Sequence, residues 1–320
     1  MLRSVLVVPL LLAAAAGCGR RPAPPAAAER PTVAPAPASA PAAVSTFAPP
    51  LTWNDLAALP VAPADARIAY GDDPLQFAEL RLPPGTGPFP VVVLIHGGCW
   101  QAAYDVQHVS QLAAALAREG VATWTLEYRR LGDAGGGWPG TFDDVARGID
   151  ALRPAAAHHP LDTARVVLVG HSAGGQLALW AAGARAGAGT TPRGPALRAR
   201  GVVSLAGITD LRAYGAAPGG CNASVTPLLG GTPAEVGARY DLVSPVSLVP
   251  LGVPVRLVHG ALDRTVPPEQ SHRFAERATA AGDDARVRLV EGAAHFDVVA
   301  ASSVAWPAVL GAVRDLLGPP

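Results

Sequence analysis

Ser172 sits in GHSAGG (170–175), between the apolar run RVVLV (165–169) and a second apolar stretch, QLALW (176–180). A serine hydroxyl attacks an acyl carbon effectively only when a neighbouring base takes its proton. Eight histidines are available. His295 stands out, because LVEGAAHFD (289–297) places it just after the last apolar run and near the C-terminus. A carboxylate must then hold the imidazole in the correct tautomer. Asp263, in VHGALDRTVP (258–267), follows the preceding apolar run. Asp210, in AGITD (206–210), also follows one and is the rival acid. Asp297 reads as a loop-capping residue. The developing oxyanion needs backbone N–H donors, and HGGCW (96–100) runs straight out of the apolar VVVLI (91–95). Gly98, Cys99 and Ala173 are the expected donors. Trp100 is expected to wall the substrate pocket, and His171 to flank the nucleophile and support its turn.

These residues need a frame that delivers them to one place. Apolar runs are expected as strands at 91–95, 122–126, 165–169, 202–205, 255–258 and 287–290, with an alternating strand at 77–82. Helices are expected at 106–118, from Thr141 to about Arg153, at 173–184, 268–280 and 304–317. Thr141 and Asp144 form a T-x-x-D capping signature. Strands alternating with helices predict an α/β fold with a mostly parallel central sheet and helices on both faces. Ligands bind at the carboxyl ends of such strands, where Ser172, Asp263 and His295 all fall. The stretch 208–251, rich in Gly and Pro, is expected to be a lid-like insertion before the acid-bearing strand.

The remaining histidines have plainer readings. His96 is expected to brace the glycine loop, His108 and His272 to sit on helix faces, His259 to pack at a strand end, and His158 and His159 to form a polar turn. No zinc, calcium, phosphate-loop or dinucleotide motif follows a suitable strand, so no metal or cofactor is expected. The 25 basic and 25 acidic residues cancel, and every basic one is Arg. This balance gives no support to nucleic-acid binding.

Residues 1–18 read as a lipoprotein-type signal peptide, with Arg3 before an apolar stretch too short to span a bilayer. The stretch ends AAGC (15–18), similar to a lipobox, with Cys18 as the lipidation candidate; an ordinary cleaved signal is the alternative. Gly19, in place of Asp, leans towards an outer membrane in a Gram-negative host. Residues 19–50, rich in Pro and Ala, read as a disordered tether, and 51–320 as the folded domain. The expected location is exported and held to a membrane by that lipid alone, with a secreted protein as the alternative. Cys99 and Cys221 remain as an even pair in an exported chain and are expected to form a disulfide; two unrelated buried thiols are the alternative. The sequence leaves the oligomeric state open.

HGGCW (96–100), GHSAGG (170–175), HGALDRTVP (259–267) and GAAHFD (292–297) together resemble the α/β-hydrolase superfamily, esterase/lipase type. The order Ser172, Asp263, His295 is that of the superfamily. Cys99 departs from the HGGG of hormone-sensitive-lipase-like esterases. The segment EYRRLGDAGGGWPGTFDD (127–144) is closer to the kynurenine-formamidase-like and bacterial feruloyl-esterase-like branches. That resemblance implies that Tyr128 stands near the site. It also implies a serine hydrolase that cleaves a small-molecule carboxylic ester through an acyl-enzyme. An amidase, arylformamidase or small peptidase with the same residues is the alternative, and a non-enzymatic binding module a third reading.

Overall fold

The computed structural model describes residues 48–184, 192–218 and 220–319. The signal, the lipidation candidate Cys18 and most of the tether lie outside them. No described helix is long and apolar enough to cross a membrane.

The strands are β1 (Ala66–Ala69), β2 (Phe77–Arg81), β3 (Phe89–Ile95), β4 (Ala122–Leu126), β5 (Leu161–His171), β6 (Gly201–Leu205), β7 (Val255–Gly260) and β8 (Ala285–Val290). The helices are α1 (Trp53–Ala57), α2 (Gln107–Arg118), α3 (Gly140–Asp150), α4 (Leu152–Ala155), α5 (Ala173–Gly183), α6 (Leu211–Gly215), α7 (Val225–Leu229), α8 (Pro233–Val243), α9 (Glu269–Ala280) and α10 (Trp306–Leu317). One eight-stranded sheet runs β1-β2-β4-β3-β5-β6-β7-β8. β2 pairs antiparallel with β1 and β4, and every other pairing is parallel. This is the expected α/β-hydrolase fold.

The apolar runs are continuous because both faces of the sheet are covered. In β3, Val91, Val93 and Ile95 face one core with Phe142, Ile149, Leu177 and Phe274 of α3, α5 and α9. Val92 and Leu94 face the other, with Val109, Leu112 and Leu116 of α2 and Val309 and Val313 of α10. Each such buried Val or Leu contributes about 1.5–3 kcal/mol.

Three expectations need correction. β5 starts at Leu161, four residues before the expected run, because Leu161 and Asp162 pair with Phe89 and Pro90 ahead of a register shift. The helix expected from Thr141 breaks into α3 and α4 at Ala151. Its capping signature does not form: Pro139 occupies the cap position. The Thr141 hydroxyl instead donates to the Arg129 carbonyl and accepts from the Gly137 N–H. Asp144 is drawn into a buried ion pair with Arg129, at 2.7 Å.

The insertion between β6 and β7 folds as α6, α7, α8 and two 3-10 turns. It is anchored at both ends, the far one by the Leu251 N–H, which donates to Asp283 at 2.7 Å. Asp210 caps α6 through the Ala213 N–H, and the Thr209 hydroxyl donates to the Gln270 carbonyl. Ile208, Leu211, Val225, Leu228 and Val243 are fully buried.

Candidate active site

Ser172 stands between β5 and α5 with φ 55 and ψ −118. A side chain rarely adopts that left-handed turn, and strain of this kind persists only where the surroundings enforce it. The Ser172 N–H donates to the Leu205 carbonyl at 2.9 Å, which locks the turn onto β6. The flanking glycines are steric necessities. A Cβ at Gly170 would lie 2.0 Å from the Gly174 carbonyl oxygen, and one at Gly174 would lie 2.1 Å from the Ile95 oxygen. The G-x-S-x-G spacing therefore lets β3, the turn and α5 meet.

His295 lies on the loop after β8. Its Nδ1 is 2.7 Å from Oδ2 of Asp263, on the loop after β7. Asp263 Oδ1 accepts from the N–H groups of Thr265 and Val266. His259 Nε2 lies 3.3 Å from Asp263 Oδ2 and 2.8 Å from the Val266 carbonyl, while its Nδ1 bonds Ser271. Burial alone would raise the Asp263 carboxyl; the hydrogen bonds from His259, His295 and Val266 outweigh it and hold the group well below the usual carboxylate range. It stays ionised, ready to fix His295. The rival Asp210 is spent on its helix cap. Asp297 caps its loop as expected, accepting from the Ala294 N–H at 2.8 Å.

The loop after β3 carries three successive positive φ values: Gly98 at 104, Cys99 at 56 and Trp100 at 56. A Cβ on Gly98 would lie 2.2 Å from Cβ of Tyr104. Among the described residues, the N–H groups of Gly98, Cys99 and Ala173 meet no protein acceptor. Free donors of this kind suit a developing oxyanion. The position a Cβ on Gly97 would take is 3.1 Å from Cβ of Ser172, so this loop touches the serine turn. Cys99 and Cys221 come together, with Cα atoms 4.9 Å apart, within disulfide reach.

Trp100 is not a pocket wall, and Tyr128 lies under the glycine loop. Both are fully buried. The Trp100 indole donates to Gln176 at 3.1 Å, and Gln176 in turn donates to the Val243 carbonyl, so the ring joins α5 to the insertion. A left-handed backbone at Trp100 turns its side chain into the core. Tyr128 stacks on His96 at 4.4 Å and donates to the His96 carbonyl at 2.8 Å, bracing the loop from beneath.

A residue that composition did not single out completes this brace. Glu127 is buried at the end of β4 and accepts from His96, Arg130 and the N–H groups of Tyr128 and Val106. Burial pushes its carboxyl up, but His96 and Arg130 together hold it below its ordinary value. A charged residue directly after a strand with no other charge was its signal. His108, on α2, and His259, packed at the end of β7, sit where expected, and both are buried and polar-bonded. His171 bonds the His295 carbonyl at 2.9 Å. His272 is exposed on α9, as expected of a helix face. Among the described residues, no group of three His, Cys, Asp or Glu could hold a metal ion.

The chain resembles several known proteins. It is 26% identical over 246 residues to a probable isoprenylcysteine alpha-carbonyl methylesterase of Arabidopsis thaliana, a match covering 72% of this chain and 50% of that one. A truncated carbohydrate esterase from gut microbiota superposes with a TM-score of 0.69 at 21% identity, over 80% of this chain and 97% of that one. Thermogutta terrifontis esterase 2, solved phosphonylated by sarin, superposes at 0.65 with 22% identity, over 83% and 97%. The structural likenesses show the fold. The chain spans 50% to 60% of the length of the curated relatives it matches. The family designated BD-FAE matches residues 79–278, from within β2 to the last turn of α9. That stretch is more than half of the sequence and carries Ser172 and Asp263 with the glycine loop ahead of them, so the chain belongs to the BD-FAE family.

Proposed function

We propose that the protein is a serine carboxylesterase acting through Ser172, His295 and Asp263. The observation that carries this reading is the 2.7 Å contact of His295 Nδ1 with an ionised Asp263, on a loop whose His295 carbonyl meets His171, the residue just before a serine held at φ 55. With Nδ1–H committed to Asp263, Nε2 of His295 is the free base. It takes the Ser172 proton as Oγ attacks the ester carbon. The N–H groups of Gly98, Cys99 and Ala173 receive the negative oxygen, and each such donor is worth on the order of 10²–10³ in turnover. His295 then gives its proton to the departing alkoxide, leaving an acyl-serine. A water that loses a proton to His295 hydrolyses it, releasing the acid and restoring the serine. The similar proteins named above, a methylesterase and an esterase solved phosphonylated by sarin, support this chemistry by their names.

Ser172 and His295 are only 2% and 5% exposed. A narrow approach of that kind favours esters of modest size with short acyl groups. In the same reading, Cys99 and Cys221 are disulfide-bonded, and Cys18 carries the lipid that holds an exported domain to a membrane through the 19–50 tether. The test is hydrolysis of p-nitrophenyl esters from acetate to palmitate, beside formanilides, with Ser172→Ala as control. The expected result is turnover of the short esters that Ser172→Ala abolishes. Formanilide turnover well above ester turnover would move the assignment to an amidase.

A further inference from the structure

Two histidines outside the proposed triad form a buried strut beneath it. His171 Nε2 lies 2.9 Å from the His295 carbonyl oxygen, and His171 Nδ1 lies 2.6 Å from His108 Nε2. A carbonyl oxygen only accepts, so His171 carries its proton on Nε2. Its Nδ1 then offers a lone pair, and His108 must donate from Nε2. That leaves His108 Nδ1 as a bare acceptor, and this atom is indeed buried without a partner among the described residues. Every proton in the strut is thereby fixed.

The rings are also packed in place. The His171 ring is 4.6 Å from that of His295, and Phe296 meets His295 edge-on at 5.2 Å. Trp53 lies 5.1 Å from His108 and closes the far end. Burial pushes both His108 and His171 well below the ordinary histidine range; the titratable groups facing them are His96 and His295 for His108, and His295, Asp263 and His259 for His171.

We propose that His171 and His108 are positioning residues for His295. The Nε2–H of His171 holds the backbone of the loop that carries the base, and His108 dictates the tautomer that makes this possible. The strut also keeps an uncharged ring beside an imidazole that becomes positive in each half of the reaction. With the proton on Nδ1 instead, His171 would turn a lone pair on the His295 carbonyl and push the loop away. A charged His171 would oppose the imidazolium on His295. The inference rests on the reading of His295 as the base.

The test compares His171→Leu, which removes the donor at similar bulk, with His171→Gln, whose amide reaches about as far as Nε2. The expected result is a fall in kcat of about 10² for His171→Leu, the cost of a misplaced reacting group, with KM little changed. His171→Gln recovers most of that loss, and His108→Leu lowers kcat in the same sense. A folded His171→Leu protein with wild-type kcat, or a His171→Gln protein as slow as His171→Leu, would overturn the proposal. Imidazole 15N NMR of the unmodified protein at pH 7 decides it independently of turnover. Neutral, Nε2-protonated His171 and His108 support it, and an Nδ1-protonated or charged ring contradicts it. A wild-type protein with no Ser172-dependent ester turnover would instead remove the esterase reading, while the NMR result would still report on the strut.

Discussion

At the scale of single residues, the site is a set of protons held in fixed places. Asp263 receives three hydrogen bonds and a 3.3 Å contact from His259, and His295 is oriented by one of the bonds. Burial favours the neutral rings of His108 and His171, and this has a stability consequence. In the unfolded chain both rings titrate near pH 6.5, whereas the native pKa values lie well below that. Below pH 6.5 the unfolded state therefore binds more protons, and stability falls as pH falls. The limiting slope is about 1.4 kcal/mol per pH unit for each histidine. Urea unfolding at pH 7.5, 6.5 and 5.5 checks this: the wild-type midpoint drops, and a His108→Gln, His171→Gln double variant loses less. Equal pH dependence in the two proteins would count against buried neutral rings. The residues legible in the sequence were those fixed by local sterics. GHSAGG is readable because a Cβ at Gly170 or Gly174 would collide with backbone. Trp100 was misread because its partner is 76 residues away, and the bond His108 makes from its helix face was not legible because His171 is 63 residues away.

At the scale of elements, the glycine loop is held from both sides. Tyr128 and Glu127, just after β4, brace it through His96, while Cys221 and Ser224 of the insertion reach it from above, Ser224 through Gln101 at 2.8 Å. The Cys99–Cys221 link, if formed as proposed, keeps Cys99 in its left-handed conformation. Cys221→Ala is accordingly expected to lower kcat towards the loss of one oxyanion donor, on the order of 10²–10³, with KM less affected. Steady-state kinetics, with a thiol count on the denatured unreduced wild type, checks this. Two free thiols at Cys99 and Cys221 would contradict it. The insertion itself was hard to read. α6 and α7 have five residues each, too short to stand without tertiary packing. The central strands were easy, because burial on both faces leaves few polar positions in β4, β6 or β7 to confuse with a helix face: two Thr, one Ser, one Arg and one His.

At the scale of the whole molecule, the fold converts chain order into spatial order. Parallel β5, β7 and β8 end on the same side of the sheet, so the loops that follow them bring Ser172, Asp263 and His295 towards one rim. The alternation of strand and helix was enough to read this architecture, because a parallel sheet forces a crossover between neighbours. The mapped match to the BD-FAE family ends before His295, so the base is assigned by geometry and not by that match. The central claim is that Ser172 becomes covalently acylated. Incubation with a fluorophosphonate, followed by intact mass and peptide mapping, tests it most directly. The account predicts one adduct, on Ser172, that forms far more slowly in His295→Ala. No adduct, or one on another residue, would contradict it.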